Sequence, residues 1–203
     1  VGAGQARRRV AVALVAGGGG VSVLADAALR RCYTNGRPLV TPLRAGAVQP
    51  SSIDLTLGTD LKRLDYGSVI DPAIDQSALW RDMPLRSDGR WLLGQGALYL
   101  GVTAETITVP TNMVAFLHGV SSMGRLGLLV HCTAGLADAG YTGRLTLEIV
   151  SLGGAIYLTP GMRIGQITYQ FLTAPATTEY NGRYQGDVAA VTSRSYRDWE
   201  AAP

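Results

Sequence analysis

The chain has 203 residues, enough for one full hydrophobic core and short for two. Hydrophobic residues make up 47% and charged residues 16%, which excludes a disordered chain. The net charge is only +3, with no arginine run beyond Arg7-Arg8-Arg9 and no basic stripe interleaved with aromatics, so no nucleic-acid polymer is expected as a partner. No apolar run approaches the roughly 20 residues of a membrane helix, so no membrane is expected either. Cys32 and Cys132, far apart in sequence, read as free thiols of a cytoplasmic protein.

Residues 1–21 stand apart from the rest of the chain. Arg7-Arg8-Arg9, an apolar stretch from Val10 to Ala16 and four glycines imitate a secretory signal. The stretch is short for that role, and the expectation is a disordered extension or a start assigned too early. A single domain is then expected over residues 22–203. Residues 22–36 fit an amphipathic helix, with Ser22 as N-cap, Leu24, Ala28 and Leu29 as its apolar stripe and Gly36 beyond its end. Short β segments come next, at 53–57, 97–102, 106–109, 114–117, 128–132, 145–150, 156–158 and 164–171, parted by Gly, Pro or Asn. Residues 60–96, with Pro72 and Pro84, read as a long loop with brief strands. A short helix is expected after Gly119, through Leu126. From Pro175 the apolar periodicity fades, which predicts a mobile tail. Many short strands without a regular alternation of strand and helix predict a mainly β fold, an antiparallel sandwich or barrel.

The chemistry concentrates between residues 119 and 148. In the strand around Glu148, Leu145, Leu147 and Ile149 share one face, and Arg144, Thr146 and Glu148 share the other. A carboxylate on a polar strand face, with serines and an arginine close in sequence, suits a proton shuttle beside an anion clamp. Ser121 and Ser122 open the short helix, where hydroxyls cap free N–H groups and where phosphate binds.

Residues 119–148 resemble the dCTP deaminases of the trimeric dUTPase-like superfamily. Three more stretches carry the same resemblance in the family's order: Gln49-Pro50-Ser51-Ser52-Ile53-Asp54-Leu55-Thr56-Leu57-Gly58, Pro160-Gly161-Met162-Arg163-Ile164-Gly165-Gln166, and Arg183-Tyr184-Gln185-Gly186 followed by Thr192-Ser193-Arg194-Ser195. Together they span about Val23 to Tyr196. The resemblance implies a distorted jelly-roll-like β-barrel with a short N-terminal helix, assembled as a homotrimer with active sites at subunit interfaces. It implies that Glu148 is the catalytic carboxylate, shuttling a proton between the attacking water and the cytosine. It gives Ser121 and Arg125 work at the reacting centre, Arg125 keeping Glu148 ionised, and has the Ala134 carbonyl orient the water. Asp138 would bind the deoxyribose 3′-hydroxyl, with Tyr141 against the sugar. In dUTPases the matching acid positions a water for phosphate hydrolysis. Val120, Ser122, Met123, Gly124, Thr146, Leu147, Gln166, Tyr180, Arg183 and Gln185 complete the implied contacts to base, sugar and phosphates. Mg²⁺ would come with the triphosphate, bound mainly through its oxygens. No zinc is expected: the chain has no CxxC pair, and its only histidines are His118 and His131.

Three positions depart from the family pattern, all on the phosphate side. Val120 stands where a cation is usual. Arg183 replaces a lysine, and Asp187 replaces a glutamine. A carboxylate at 187 repels phosphate unless a cation intervenes, and Arg194 or Arg44 are the candidates. Thr133-Ala134-Gly135 resembles the branch that forms dUMP and pyrophosphate, whereas the single-step branch tends to carry His after that alanine. The expected function is metal-free deamination of dCTP at C4 to dUTP, continuing to dUMP, which feeds thymidylate synthesis. The alternatives are a dUTPase or a degenerate nucleotide-binding trimer. The tail has no Gly-rich dUTPase motif, and Glu148 has no counterpart role there. Val120 and Asp187 suit the degenerate binder, whereas Ser121, Arg125, Asp138 and Glu148 do not.

Overall fold

The computed structural model describes residues 22–65, 67 and 69–200, and the expectations for residues 1–21 fall outside them. The chain runs α1 (Asp26–Thr34), β1 (Val40–Thr41), β2 (Ile53–Leu64), a 3-10 turn (Ser77–Leu79), β3 (Trp80–Asp82), β4 (Trp91–Leu93), β5 (Leu98–Thr103), β6 (Thr106–Thr108) and β7 (Met113–Gly119). It continues with α2 (Ser121–Gly124), β8 (Leu128–Val130), β9 (Leu136–Ala137), β10 (Thr142–Gly143), β11 (Thr146–Ser151), β12 (Ile156–Leu158), β13 (Arg163–Phe171) and α3 (Arg197–Glu200).

The fold is mainly β. One large antiparallel sheet has the order β8-β11-β5-β2-β13-β7-β9, with β3 also on β2. It curls around the core, flanked by the β1-β6-β10 sheet and the β12-β4 pair. β2 makes the curl. Its first half pairs with β13 and its second with β5, and the register shifts between Leu57 and Leu61. Gly58 sits at that bend because a Cβ there would lie 2.9 Å from the Val102 side chain. The expectation of a strand ending at Leu57 is therefore corrected. Gly58-Thr59-Asp60 interrupts the apolar alternation, yet the backbone pairing continues.

The N-terminal helix is shorter than residues 22–36. It begins after Ala25, because Val23 bridges to Gln170 and the Leu24 N–H donates to the Tyr169 carbonyl. Ser22 is thus not its cap. The stripe holds: Leu24 and Leu29 are buried with Cys32, and Ala28 packs against them. A buried carboxylate, Glu105, ties the crossing of β2 and β5. It accepts from the Thr56 N–H (3.0 Å) and hydroxyl (2.6 Å), with Arg44 at 3.5 Å. Among the described residues no helix is long and apolar enough to cross a membrane.

Candidate active site

The alternation in β11 sets the site. Leu147 and Ile149 are fully buried in the core, and Thr146 and Glu148 stand half-exposed on the opposite face. β11 pairs with β5, so Leu100 and Val102 lie opposite Glu148 and Thr146. The tail crosses that face, closing a cavity of about 620 Å³. Leu98, Leu100, Leu145 and Trp80 line its apolar part, and Glu148, Thr133, Asp138, Arg144 and Asp187 supply polar groups.

Among the described residues Thr133 holds the Glu148 carboxylate. The Thr133 N–H donates to its Oε2 (3.0 Å), and the Thr133 hydroxyl reaches both carboxylate oxygens, at 3.0 and 3.3 Å. The Glu148 backbone carbonyl accepts from the His131 N–H at 2.7 Å. His131 enters this turn with φ 65, a conformation uncommon outside glycine, and its ring nitrogens are buried without a hydrogen-bond partner among the described residues. Ala134 follows on the cavity wall.

The turn at 138–141 faces Glu148 across the cavity. The Tyr141 N–H closes it onto the Asp138 carbonyl (3.1 Å), so the exposed Asp138 carboxylate is not needed for the turn. Tyr141 donates to the Arg144 carbonyl (2.9 Å) and meets Tyr180 edge-on at 5.7 Å. Burial above all, then the Asp187 charge and Tyr180, push the Tyr141 phenol well above its usual pKa, which keeps it a neutral donor.

The tail is hydrogen-bonded along this face. The Ala190 N–H donates to Asp60 (2.8 Å), the Val191 N–H to the Thr146 hydroxyl (3.2 Å) and the Arg144 N–H to the Asp187 carbonyl (2.7 Å). Hydrogen bonds to isolated polar groups leave no apolar period to read, which is why the sequence suggested a loose segment. Gly143 permits the close approach, since a Cβ there would lie 2.8 Å from the Tyr141 hydroxyl and 3.1 Å from the Asp187 carbonyl. Overpacking of about 1–3 kcal/mol predicts that Gly143→Ala lifts the tail and speeds hydrogen exchange at Arg144 and Gly186 about tenfold or more. Unchanged exchange at both amides would show that the tail docks without this contact.

Of the residues singled out from sequence, Glu148, Ala134, Asp138, Tyr141, Thr146 and Tyr180 meet around this cavity. Leu147, Gln166, Arg183, Gln185 and residues 120–125 do not line it. The Leu147 side chain is in the core, as the strand alternation requires. Gln185 is a strut: its carboxamide accepts from the Thr142 N–H (2.9 Å) and donates to the Gly140 and Tyr180 carbonyls. Gln166 lies on β13 between His118 and Asp54 and accepts from Ser52. Arg183 is held by Asp198 and by the Arg194 carbonyl. Asp187 is neutralised by Arg194 through two contacts of 3.2 Å, while Arg44 faces Glu105 instead.

Val120, Ser121, Ser122, Met123, Gly124 and Arg125 also stand off the cavity of their own chain. β8 runs antiparallel to β11, so its start, where α2 sits, lies beside Ser151, and only its end reaches towards Glu148. Nor is Ser121 the cap: the buried Val120 takes that place, and its carbonyl accepts from Met123 and Gly124. α2 thereby presents Ser121, Ser122 and Arg125 outward, and among the described residues Arg125 has no ion-pair partner. Sequence reasoning gave Thr133 no role of its own, although its hydroxyl and N–H hold the key carboxylate. A Ser or Thr in the turn facing a polar strand position is the signal that could have found it.

Comparison with known proteins agrees with this geometry. The dCTP deaminase-like family model matches residues 23–172. A protein of Beutenbergia cavernae named dCTP deaminase, dUMP-forming, is 41% identical over 182 residues, which cover 86% of this chain and 95% of that protein. One of the same name from Parafrankia sp. is 39% identical over 188 residues, 89% of this chain and 94% of the relative. A solved 2'-deoxycytidine 5'-triphosphate deaminase from Agrobacterium tumefaciens superposes with a TM-score of 0.61 at 26% identity over 75% of this chain. The match covers about half of that solved chain (49%). A cavity floored by Glu148 and walled by Asp138 and the tail, together with this match across most of the sequence, places the chain in the dCTP deaminase-like family.

Proposed function

We propose that the protein deaminates dCTP at C4 and carries the product on to dUMP and pyrophosphate. The observation that carries this reading is Glu148, a carboxylate fixed by the neutral donors of Thr133 on the wall of a nucleotide-sized cavity. Water adds its oxygen to C4 while Glu148 takes its proton and delivers it to the ring nitrogen. The proton of the new C4 hydroxyl, passed through Glu148 to the amino group, lets the C4–N bond break as the C4 carbonyl forms and ammonia leaves. The Ala134 carbonyl, on the same wall, suits the water. The apolar floor of Leu98, Leu100 and Trp80 suits the base, and the Tyr141–Tyr180 pair suits the sugar, whose 3′-hydroxyl Asp138 would receive. Asp138 then also stands ready to direct water at the α-phosphorus. The deaminase names of the relatives support this reading.

The lining suits a magnesium ion that arrives on the phosphates. Among the described residues no three His, Cys, Asp or Glu side chains gather to hold one. Bound there, the ion would offset charge between the phosphates and the cavity's carboxylates.

One chain does not complete the site. Glu148 has no cationic partner among the described residues, and outward-facing α2 carries Ser121, Ser122 and the unpaired Arg125. A homotrimer in which α2 of one copy closes the cavity of the next would supply what is missing. The dUTPase reading predicts pyrophosphate from dUTP alone. Equal concentrations of dCTP and dUTP should decide: pyrophosphate from dCTP, with ammonia, is expected, and release from dUTP only would overturn the proposal.

A further inference from the structure

The cavity's own charges are poorly matched to a phosphate chain, because Asp138, Glu148 and Asp187 line it against one arginine, Arg144. Two more guanidinium groups lie in the tail next to lining residues, Arg183 before Tyr184 and Arg194 after Ser193. Carboxylates hold both, and the two pairs are built differently. Arg194 grips Asp187 with both amino nitrogens, lies over the Tyr184 ring at 5.4 Å and leaves the Asp187 side chain only 13% exposed. That pair is a tether for the cavity wall. Arg183 pairs with Asp198 of α3, whose side chain is 64% exposed, and keeps its aim through a second bond, 2.6 Å to the Arg194 carbonyl. Among the described residues Arg183 is the only side chain that Asp198 binds.

The Arg183 side chain is 28% exposed, so the difference lies in the carboxylate, and a pair whose carboxylate stands in solvent is weakly held, whereas a phosphate group brings more charge and more acceptor oxygens to the same guanidinium. We propose that Asp198 is an internal competitor for the phosphate chain of the nucleotide. Its carboxylate occupies Arg183 until an oligophosphate takes that guanidinium over, while the Asp187–Arg194 tether stays closed. The inference rests on the nucleotide reading of the cavity. It assigns to α3, outside the cavity, control over affinity for phosphate-bearing ligands and not over the base.

Calorimetric titration of the full chain and of Asp198→Asn and Asp198→Glu tests it, with dCTP, deoxycytidine and inorganic tripolyphosphate as probes. Removing a competitor of surface-pair strength predicts that Asp198→Asn binds dCTP and tripolyphosphate about two- to fivefold more tightly. Deoxycytidine should bind all three proteins alike, and Asp198→Glu should match the parent. Equal or weaker dCTP binding by Asp198→Asn, or an equal gain for deoxycytidine, overturns the proposal. Turnover is read separately. Tighter tripolyphosphate binding without ammonia from dCTP would sink the deaminase reading and leave the competitor standing. Ammonia release with unchanged dCTP affinity in Asp198→Asn would do the reverse.

Discussion

Glu148→Gln is expected to stop ammonia release while the nucleotide still binds. The substitution keeps the shape of the side chain and its contact with the Thr133 N–H, which donates as well to an amide oxygen as to the carboxylate. What it removes is the carboxylate that takes a proton from water and returns it to the leaving amine. General acid–base catalysis contributes about 10²–10⁴-fold, so dCTP turnover should fall by about that factor. The loss should appear in kcat, with dCTP affinity held, because the missing interaction belongs to the transition state. A matching melting temperature would separate this loss from a folding defect. Parent-like turnover would remove Glu148 from the mechanism, and the proton would have to travel by another group.

Mixing two inactive variants should restore activity. Arg125→Ala and Glu148→Gln are each expected to be nearly silent alone. If α2 of one copy closes the cavity of the next, the two defects fall in different places within a mixed assembly. In trimers that carry both chains, about one site in three would then join an intact Glu148 from one copy to an intact Arg125 from another. Co-expression of two differently tagged chains, followed by purification on both tags, measures this directly. Recovered ammonia release locates Arg125 at a neighbour's cavity. A mixture as silent as its parts would mean that Arg125 acts within its own chain after rearrangement, or not at all.

Particular residues show what the sequence could convey. The alternation from Leu145 to Ile149 set Glu148 and Leu147 on opposite faces, and the structure keeps them there. It also makes Leu147 a core residue, so the same pattern argued against the substrate contact that the resemblance implied. β1, β9 and β10 escaped notice because two-residue strands carry no period. The second half of β2 was hidden because Lys62 and Arg63, register partners of Asp82 and Arg81 on β3, break the apolar alternation. Nearness in sequence is not nearness within one chain at α2: Ser121 and Arg125 precede Glu148 closely, but β8, antiparallel to β11, sets α2 at the far end of the strand pair. The compensation of Asp187 by Arg194 was legible as chemistry, since a carboxylate at 187 needed a cation. Choosing Arg194 over Arg44 required the fold, which commits Arg44 to the buried Glu105.

The most direct measurement is a single time course of dCTP with Mg²⁺, following ammonia, pyrophosphate and nucleotide in one sample. Ammonia and pyrophosphate are expected in equal amounts, with dUMP as the nucleotide product and no build-up of dUTP. Ammonia with accumulating dUTP would confine the cavity to deamination. Pyrophosphate with dCMP and no ammonia would contradict the account at its centre, because Glu148 would then not act on the base.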